Sequence, residues 1–594
     1  MSKYLAIYDL SGIQSFIFQT NKLKEIIGAS QLVSRALFDN APDLLNEDAD
    51  DWRGCTAEQL RELAPGKGKV VYIGGGNALV LFGSRETELQ FTYLLKKTVF
   101  EQTGGSIRLC SGGVELDDDQ KKLAEYQSDY IKDLDTDKRK SSQALTIRGF
   151  SLNEQDNNTY EPVLYFPEAN TLNDPDLVNS DADYALIPDI ATRSQFLKLR
   201  EYQRSWKIAN GKAAQDDNLP SHLSKLFPGR MFKTEFEKFF DRSSSASPTP
   251  GKRYLAVVHI DGNTMGMRIA NFVKGLRADD SQSNKDVFDD LMSLRDLSAH
   301  ITQIYTSALQ RMMDDVYGES TNSALEFRPI IADGDDITFV CRSEKAFPCF
   351  EAFVKALTET GQGIEYQEGL PRPEEFSVGA GVAFIPFNYP FSSAYDIAEE
   401  LCGNAKRKAL ERREGLLALH SDQSENAKPE TTINSIDFHV CSGELTDDID
   451  AYRKRFYVFD EYYLNKRPYH VLSSGSENLN SLEFEDFINR LQDLTKAVEN
   501  GWLARGKIKD LYNEYSKGKT AAVRYGEYIE SRELAIAKAR QSNTNASRES
   551  FFQDLKDVFE VSSIGKDGSQ TVAKHFDVLD VFDICKLPVE DSHD

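Results

Sequence analysis

Three carboxylates crowd one tight turn in the stretch FRPIIADGDDITFVC, residues 327–341: Asp333, Asp335 and Asp336, set around Gly334. The flanks are apolar and read as two strands of a hairpin. Three like charges in four residues repel one another. A cation at the tip would relieve that, and hard ions such as Mg²⁺ or Mn²⁺ take oxygen ligands of this kind while bridging to phosphates. The plainer alternative is an exposed hairpin, because Asp and Gly are ordinary turn residues.

A second acid gives the turn a chemical context. Asp261 ends the apolar run KRYLAVVHID. Where two strands lie side by side in a palm-type sheet, a carboxylate from the end of one meets those of the neighbouring hairpin. Asp261, Asp335 and Asp336 would then hold two divalent ions, one activating a ribose 3′-hydroxyl and the other gripping a triphosphate. Standing alone, Asp261 reads equally well as a strand-end cap. Gly262 and Gly266 would let the backbone approach phosphate. Lys406 and Lys408, on the segment SSAYDIAEELCGNAKRKALERRE, offer a point charge for a phosphate or else a solvated helix face. The expected nucleotide contacts are Gly262, Asn263, Gly266, Gly334 and Lys406, with Gly75 and Gly76 from an earlier hairpin.

That earlier hairpin belongs to a repeat. Residues 1–120 run strand (Tyr4 to Tyr8), helix (LKEIIGASQLVSRALF), hairpin (KVVYIGGGNALVLF), helix, strand. Residues 252–410 repeat the order, with an apolar stripe Leu294, Leu297, Ile301, Ile304, Ala308 and Met312 at helical spacing. Asp9 leads the first hairpin tip much as Asp261 leads the second. Each copy predicts a ferredoxin-like α+β unit, helices on one face of an antiparallel sheet, and the two copies could pack as a pseudo-dimer. The first tip reads Gly74-Gly75-Gly76-Asn77, with no carboxylate, and Asp9 has no evident partner. That copy is expected to be structural or to form half of a nucleotide pocket.

The expected division is a degenerate first palm over 1–120, a helical insert and linker over 121–250, a catalytic second palm over 251–440 and a helical C-terminal domain over 441–594. Residues 121–250 look polar and irregular, ending in the linker-like DRSSSASPTPG of 241–251. Polar breaks recur at 421–435 and 541–547. The amphipathic stretches after residue 445 are expected to build a helical bundle.

Composition narrows the class. A chain of 594 residues exceeds one core, and about two to four domains are expected. No apolar run approaches the roughly 20 residues of a membrane-spanning helix, and MSKYLAIYDLSG lacks the features of a signal peptide. Seven scattered cysteines without a CxxC pair argue against a zinc ribbon or disulfide framework and for a reducing, cytoplasmic setting. Net charge is −25, from 70 basic and 95 acidic residues, so strong autonomous nucleic-acid binding is not expected. A local basic groove or a partner protein remains the route to nucleic acid.

DLSGIQSFIF followed by LKEIIGAS resembles the first palm of the large subunit of type III CRISPR effector complexes. HIDGNTMG, ADGDD and SVGAGVAF resemble its second, catalytic palm, and NKRPYHVL, residues 465–472, resembles a stretch beyond it. The resemblance spans roughly residues 1–120 and 250–475. It implies a nucleotide cyclase-type fold related to GGDEF and class III cyclases, and conversion of ATP into cyclic oligoadenylate as an antiviral second messenger. It also puts the metal ligands on Asp261, Asp335 and Asp336, and brings CRISPR effector subunits, crRNA and target RNA as partners. The family's C-terminal helical domain contacts small helical subunits and nucleic acid, for which YRKRFYVF (452–459) is a candidate beside the plainer reading of a solvated charged face. Two departures stand out: Asp333 replaces the first glycine of the family's GGDD, and Asn263 stands where a further Asp is common. The first histidine is His222 and the one His-Asp pair is His593-Asp594, so neither an HD nuclease domain nor the family's zinc insert is expected. Two alternatives stay open: a non-catalytic, nucleotide-sensing scaffold subunit, and a diguanylate-type cyclase working as a homodimer.

Overall fold

The structure, a computed structural model, describes residues 2–47, 54–142, 156, 162–165, 190–210, 221–240, 253–277, 285–318, 324–359, 370–372, 375–419, 432–441, 448–459, 462–472, 483–539, 546–562 and 570–585. The expected linker at 241–251, most of the breaks at 421–435 and 541–547, and His593-Asp594 lie outside the described residues.

Alternation of apolar side chains builds the first palm. Strand β1 (Lys3–Ser11) is followed by helix α1 (Leu23–Phe38), strands β2 (Gly68–Gly74) and β3 (Asn77–Phe82), helix α2 (Arg85–Thr103) and strand β4 (Arg108–Leu116). The sheet order is β2-β3-β1-β4, all antiparallel, the ferredoxin-like arrangement. Tyr4, Ala6 and Tyr8 face α1 and α2. Leu5 and Ile7 face the other way, against helix α3 (Leu123–Ser142). The expectation of helices on one face alone is therefore corrected: α3, in a segment that reads as irregular, covers the second face. Its approach is close, since a Cβ on Gly112 of β4 would lie 2.3 Å from the Tyr130 carbonyl oxygen. After α3 comes helix α4 (Arg193–Asn210), which packs on α1.

The second palm repeats the plan. It comprises β5 (Tyr254–Gly262), α5 (Met265–Gly275), α6 (Val287–Tyr317), β6 (Phe327–Asp333), β7 (Asp336–Arg342), α7 (Ala346–Glu359), β8 (Val378–Pro386) and α8 (Phe391–Leu419). Two further strands, β9 (Ile433–Val440) and β10 (Tyr469–Leu472), extend the sheet to the order β10-β9-β8-β5-β7-β6. β9 runs parallel to β8, and β10, from the NKRPYHVL stretch, closes that edge. Ala256, Val258 and Ile260 face α6 and α7, while Leu255 and Val257 face α8. Here too a helix crosses the second face, and Gly381 of β8 makes room for it: a Cβ there would sit 1.9 Å from the Ala398 carbonyl oxygen.

The palms interlock. Leu291 and Leu294 of α6 join the core on the first palm's outer face. Apolar residues of α1 share a core with the second sheet, and Ser30 Oγ of α1 donates to the Ile330 carbonyl at 2.6 Å. Beyond the palms, helices Glu483–Glu499, Arg505–Tyr515, Lys519–Ala539 and Ala546–Lys556 form the expected helical region. They share it with a small sheet of Val458–Phe459, Tyr462–Tyr463, Gln570–Ala573 and Phe559–Ser562, which the expectation of a helical domain did not include. No helix among the described residues is long and apolar enough to cross a membrane.

Candidate functional site

The acids meet because β5 and β7 are neighbours. Their antiparallel register ends at Ile260 opposite Ile337, so the next residues outward are Asp261 and Asp336. On its other side Asp261 lies opposite Gly379 of β8. The missing side chain there matters. The stem of Lys406, from α8, crosses Gly379 so closely that a Cβ would stand 2.3 Å from its Cγ, and Nζ reaches Asp261 Oδ2 at 2.6 Å.

Asp335 sits on the turn that Gly334 makes at φ +64°. Its carboxylate packs over Gly262, where a Cβ would lie 2.6 Å from Oδ2 and 2.8 Å from the Tyr305 hydroxyl. Gly262 is therefore needed to seat Asp335. Burial first, and then the Asp261 charge, push the Asp335 carboxyl up to about 7. Burial, followed by Asp261, Asp335, Asp333 and Glu399, raises Asp336 well above the carboxylate range. Asp336 Oδ1 is buried with no hydrogen-bond partner among the described residues, and the Tyr305 hydroxyl is in the same condition. His259, two residues before Asp261 on β5, lies 3.5 Å from Asp336 Oδ1 and 2.9 Å from Thr338 Oγ1. Burial lowers its pKa to about 4, so it is neutral at physiological pH and offers Asp336 no charge.

A cavity of about 510 Å³ opens between the palms at this point. Asp261, Gly262, Gly266, Gly334, Asp335 and Lys406 line one side; Tyr72, Gly74, Gly75 and Asn77 of the first palm's hairpin line the other. Met265, Ile269, Leu294, Leu297 and Ile301 supply an apolar wall, and Ser298 and Thr302 add hydroxyls. The apolar stripe on α6 thus divides: Ile304, Ala308 and Met312 are core, while its N-terminal part faces the cavity. Tyr305, Ser298 and Thr302 escaped the sequence reading, although 298 and 302 share a helix face with Leu294 at i+4 spacing.

Four candidate nucleotide or metal residues, Asn263, Gly76, Asp336 and Lys408, are not among those lining the cavity. Asn263 donates its amide to Ser377 Oγ at 3.0 Å and to the Ile433 carbonyl at 3.1 Å, tying α5's approach to β8 and β9. Gly76 gives its amide to Asp333. Asp336 turns toward His259. Lys408 pairs with Glu411 on the helix surface at 2.9 Å. Asp9, which meets no carboxylate at the first hairpin tip, pairs with Lys138 of α3, whose Nζ reaches its Oδ2 at 2.9 Å, an echo of Lys406 on Asp261.

Among the described residues no three His, Cys, Asp or Glu side chains are grouped so as to hold a metal ion by themselves. Asp336 faces away, and Lys406 already neutralises Asp261. What remains is a pair of hard oxygen donors, Asp261 and Asp335, on a wide cavity. That fits an ion of the Mg²⁺ kind, which is usually held by one or two carboxylates together with substrate phosphates and water.

Residues 254–416 match the family model described as the second palm domain of Cas10/Cmr2. This part of the chain is a Cas10-like palm domain. Its strands β5 to β8 and helix α8 supply Asp261, Asp335, Asp336 and Lys406. No curated protein matches the chain. Solved structures that it resembles include a Csm1–Csm4 cassette in complex with AMPPNP, at 13% identity and TM-score 0.39, covering 68% of this chain and 53% of that one. A Csm1–Csm4 cassette with pppApApA matches at 10% identity and TM-score 0.44, covering 93% and 69%. The chain thus spans about half the length of the first.

Proposed function

We propose that this chain is a nucleotidyltransferase that joins nucleoside triphosphates, ATP foremost, into cyclic or linear oligonucleotides that signal in antiviral defence. One observation carries the reading: Asp261, Asp335 and Lys406 converge on a cavity whose opposite wall is a glycine turn from a twin domain. About 510 Å³ is in the range of small-molecule sites, roughly 300–1,000 Å³. The Cas10/Cmr2 palm match supports the reaction class.

Each residue has a task. Lys406 holds a fixed positive charge beside Asp261 and is placed to meet a phosphate. Gly74 and Gly75 put no side chains on their part of the facing wall, between Tyr72 and Asn77, so backbone there can approach phosphate oxygens. The α5–α6 wall suits a flat base. Asp261 and Asp335 would hold an Mg²⁺ or Mn²⁺ ion, which when bound neutralises triphosphate charge and lowers the barrier to attack by a 3′-hydroxyl. The partners we infer are CRISPR effector subunits carrying crRNA and target RNA, since the chain's own charge of −25 disfavours RNA.

The test is incubation with each nucleoside triphosphate and Mg²⁺ or Mn²⁺, with pyrophosphate release and mass spectrometry as readouts. Absence of product with every triphosphate, alone and with target-RNA-bound effector complexes, rejects the reading. A second reading, a subunit that senses nucleotide without turning it over, draws on the Lys406–Asp261 pair and the unassembled third carboxylate. Binding that persists in the Asp335→Ala/Asp336→Ala double variant, with no product from wild type, would establish it.

A further inference from the structure

The two hairpin tips touch. Asp333 Oδ2 accepts the backbone amide of Gly76 at 3.0 Å. A Cβ on Gly74 would stand 3.9 Å from Asp333 Oδ1, and one on Gly334 would stand 3.9 Å from the Gly75 nitrogen. Gly76 is held on both sides, because its carbonyl accepts the Leu10 amide at 3.0 Å. Gly76 itself sits at φ +74°, a left-handed conformation that favours glycine and turns the amide toward the other palm. Asp333 and Asp336 are the closing pair of the β6–β7 hairpin, so fixing Asp333 fixes the turn that carries Asp335.

We propose that Asp333 is a positioning residue, a clip between palms, and not a metal ligand. It fastens the acidic hairpin to the glycine turn and so sets the distance between the two walls of the cavity. The claim rests on the proposed nucleotide site for its consequence, and on the tip geometry for its existence. What the clip requires is an acceptor oxygen within reach of the Gly76 N–H, here at 3.0 Å. The DGDD departure at this position then has a physical purpose: a glycine there would leave the Gly76 amide without this acceptor.

Three variants decide it: Asp333→Ala, Asp333→Gly and Asp333→Asn, the last keeping an acceptor oxygen but no charge. Hydrogen exchange of a peptide spanning residues 70–78 reads the clip directly, and calorimetric titration with ATP and Mg²⁺ reads the site. With the clip, Ala and Gly speed exchange in the turn by about tenfold or more and weaken ATP binding by a similar factor. Asn stays near wild type in both. The sign is informative, because removing a negative charge near a triphosphate would by itself tighten binding. If Asn fails as badly as Ala, the carboxylate acts as a ligand or charge and the clip is overturned. Unchanged exchange in all three variants overturns it too. Should wild type bind no ATP, the nucleotide reading fails, and exchange in the turn still decides the clip.

Discussion

Gly262→Ala tests the site more sharply than removal of an acid. The backbone at Gly262 is ordinary extended strand, so alanine meets no conformational penalty there. The added methyl meets Asp335 Oδ2 at 2.6 Å and the Tyr305 hydroxyl at 2.8 Å, where ordinary contact begins at 3.4 Å. Tyr305 is fully buried beside Phe353 and Phe376 and has nowhere to go. The carboxylate, at the end of a turn, must yield by the difference between 2.6 and 3.4 Å, about 0.8 Å. Overpacking of this kind costs about 1–3 kcal/mol of stability. A misplacement near 1 Å costs about 10²-fold in rate, equivalent to roughly 2.7 kcal/mol of barrier. Pyrophosphate release should therefore fall about a hundredfold, in a protein that still melts cooperatively. Gly403→Ala is the control: exposed on α8 with no atom within 4 Å of its would-be Cβ, it should gain about 0.5–1 kcal/mol and keep full activity. Wild-type turnover in folded Gly262→Ala would refute the claim that Asp335, seated on Gly262, takes part in the reaction.

Further outcomes follow from the same geometry. Asp335→Asn should abolish product formation yet raise the melting temperature measured without divalent ions, because it removes a buried charge held against Asp261; a lower melting temperature contradicts this. Lys406→Met keeps the stem over Gly379 and deletes the charge. ATP affinity should drop about tenfold, while stability changes by less than about 1 kcal/mol, since the Lys406–Asp261 pair is about a third exposed. Burial lowers His439 to about 3 and His575 to about 4. Both lie below the unfolded value of about 6.5, so the unfolded chain binds the extra protons. Their contribution is complete above pH 6.5 and declines as pH falls toward 4, by up to about 1.4 kcal/mol per histidine per pH unit. Urea melts at pH 7.5, 6 and 5 should show this decline, and His439→Gln should lessen it while His575 keeps its share.

What could be read from the sequence was whatever depends on local alternation. The duplicated strand–helix–hairpin order, the pairing of Asp261 with the acidic turn, and Lys406 on the helix behind them all follow from periodicity. What could not be read depends on contacts between distant residues. Nothing near Asp333 announces that its acceptor serves Gly76, and nothing near Asn263 shows that Ser377 and Ile433 consume its amide. Helix α3 was legible in principle: Leu123, Tyr126, Tyr130 and Leu134 recur at helical spacing and are buried, but the charges among them mask the stripe. The two-residue strands Val458–Phe459 and Tyr462–Tyr463 are too short to show any period. The small sheet within the helical C-terminal region went unread for that reason.

The asymmetry between the palms has a physical basis at their contact. Both present a strand-end acid clamped by a lysine from a crossing helix, Asp9 with Lys138 and Asp261 with Lys406. The twins differ at the tips, where Asn77 stands opposite Asp9 in the register and Asp336 follows opposite Asp261. Two acidic tips could not meet in this way. Carboxylates on both sides would repel across a few ångströms of partly buried space, and an Asp at position 76 would strain a left-handed turn that glycine enters freely. An acidic tip facing a glycine tip has neither problem: one supplies the carboxylate acceptor, the other an unobstructed amide. A first hairpin tip without carboxylates is what allows the second to be held against it, with Asp335 facing the cavity between them.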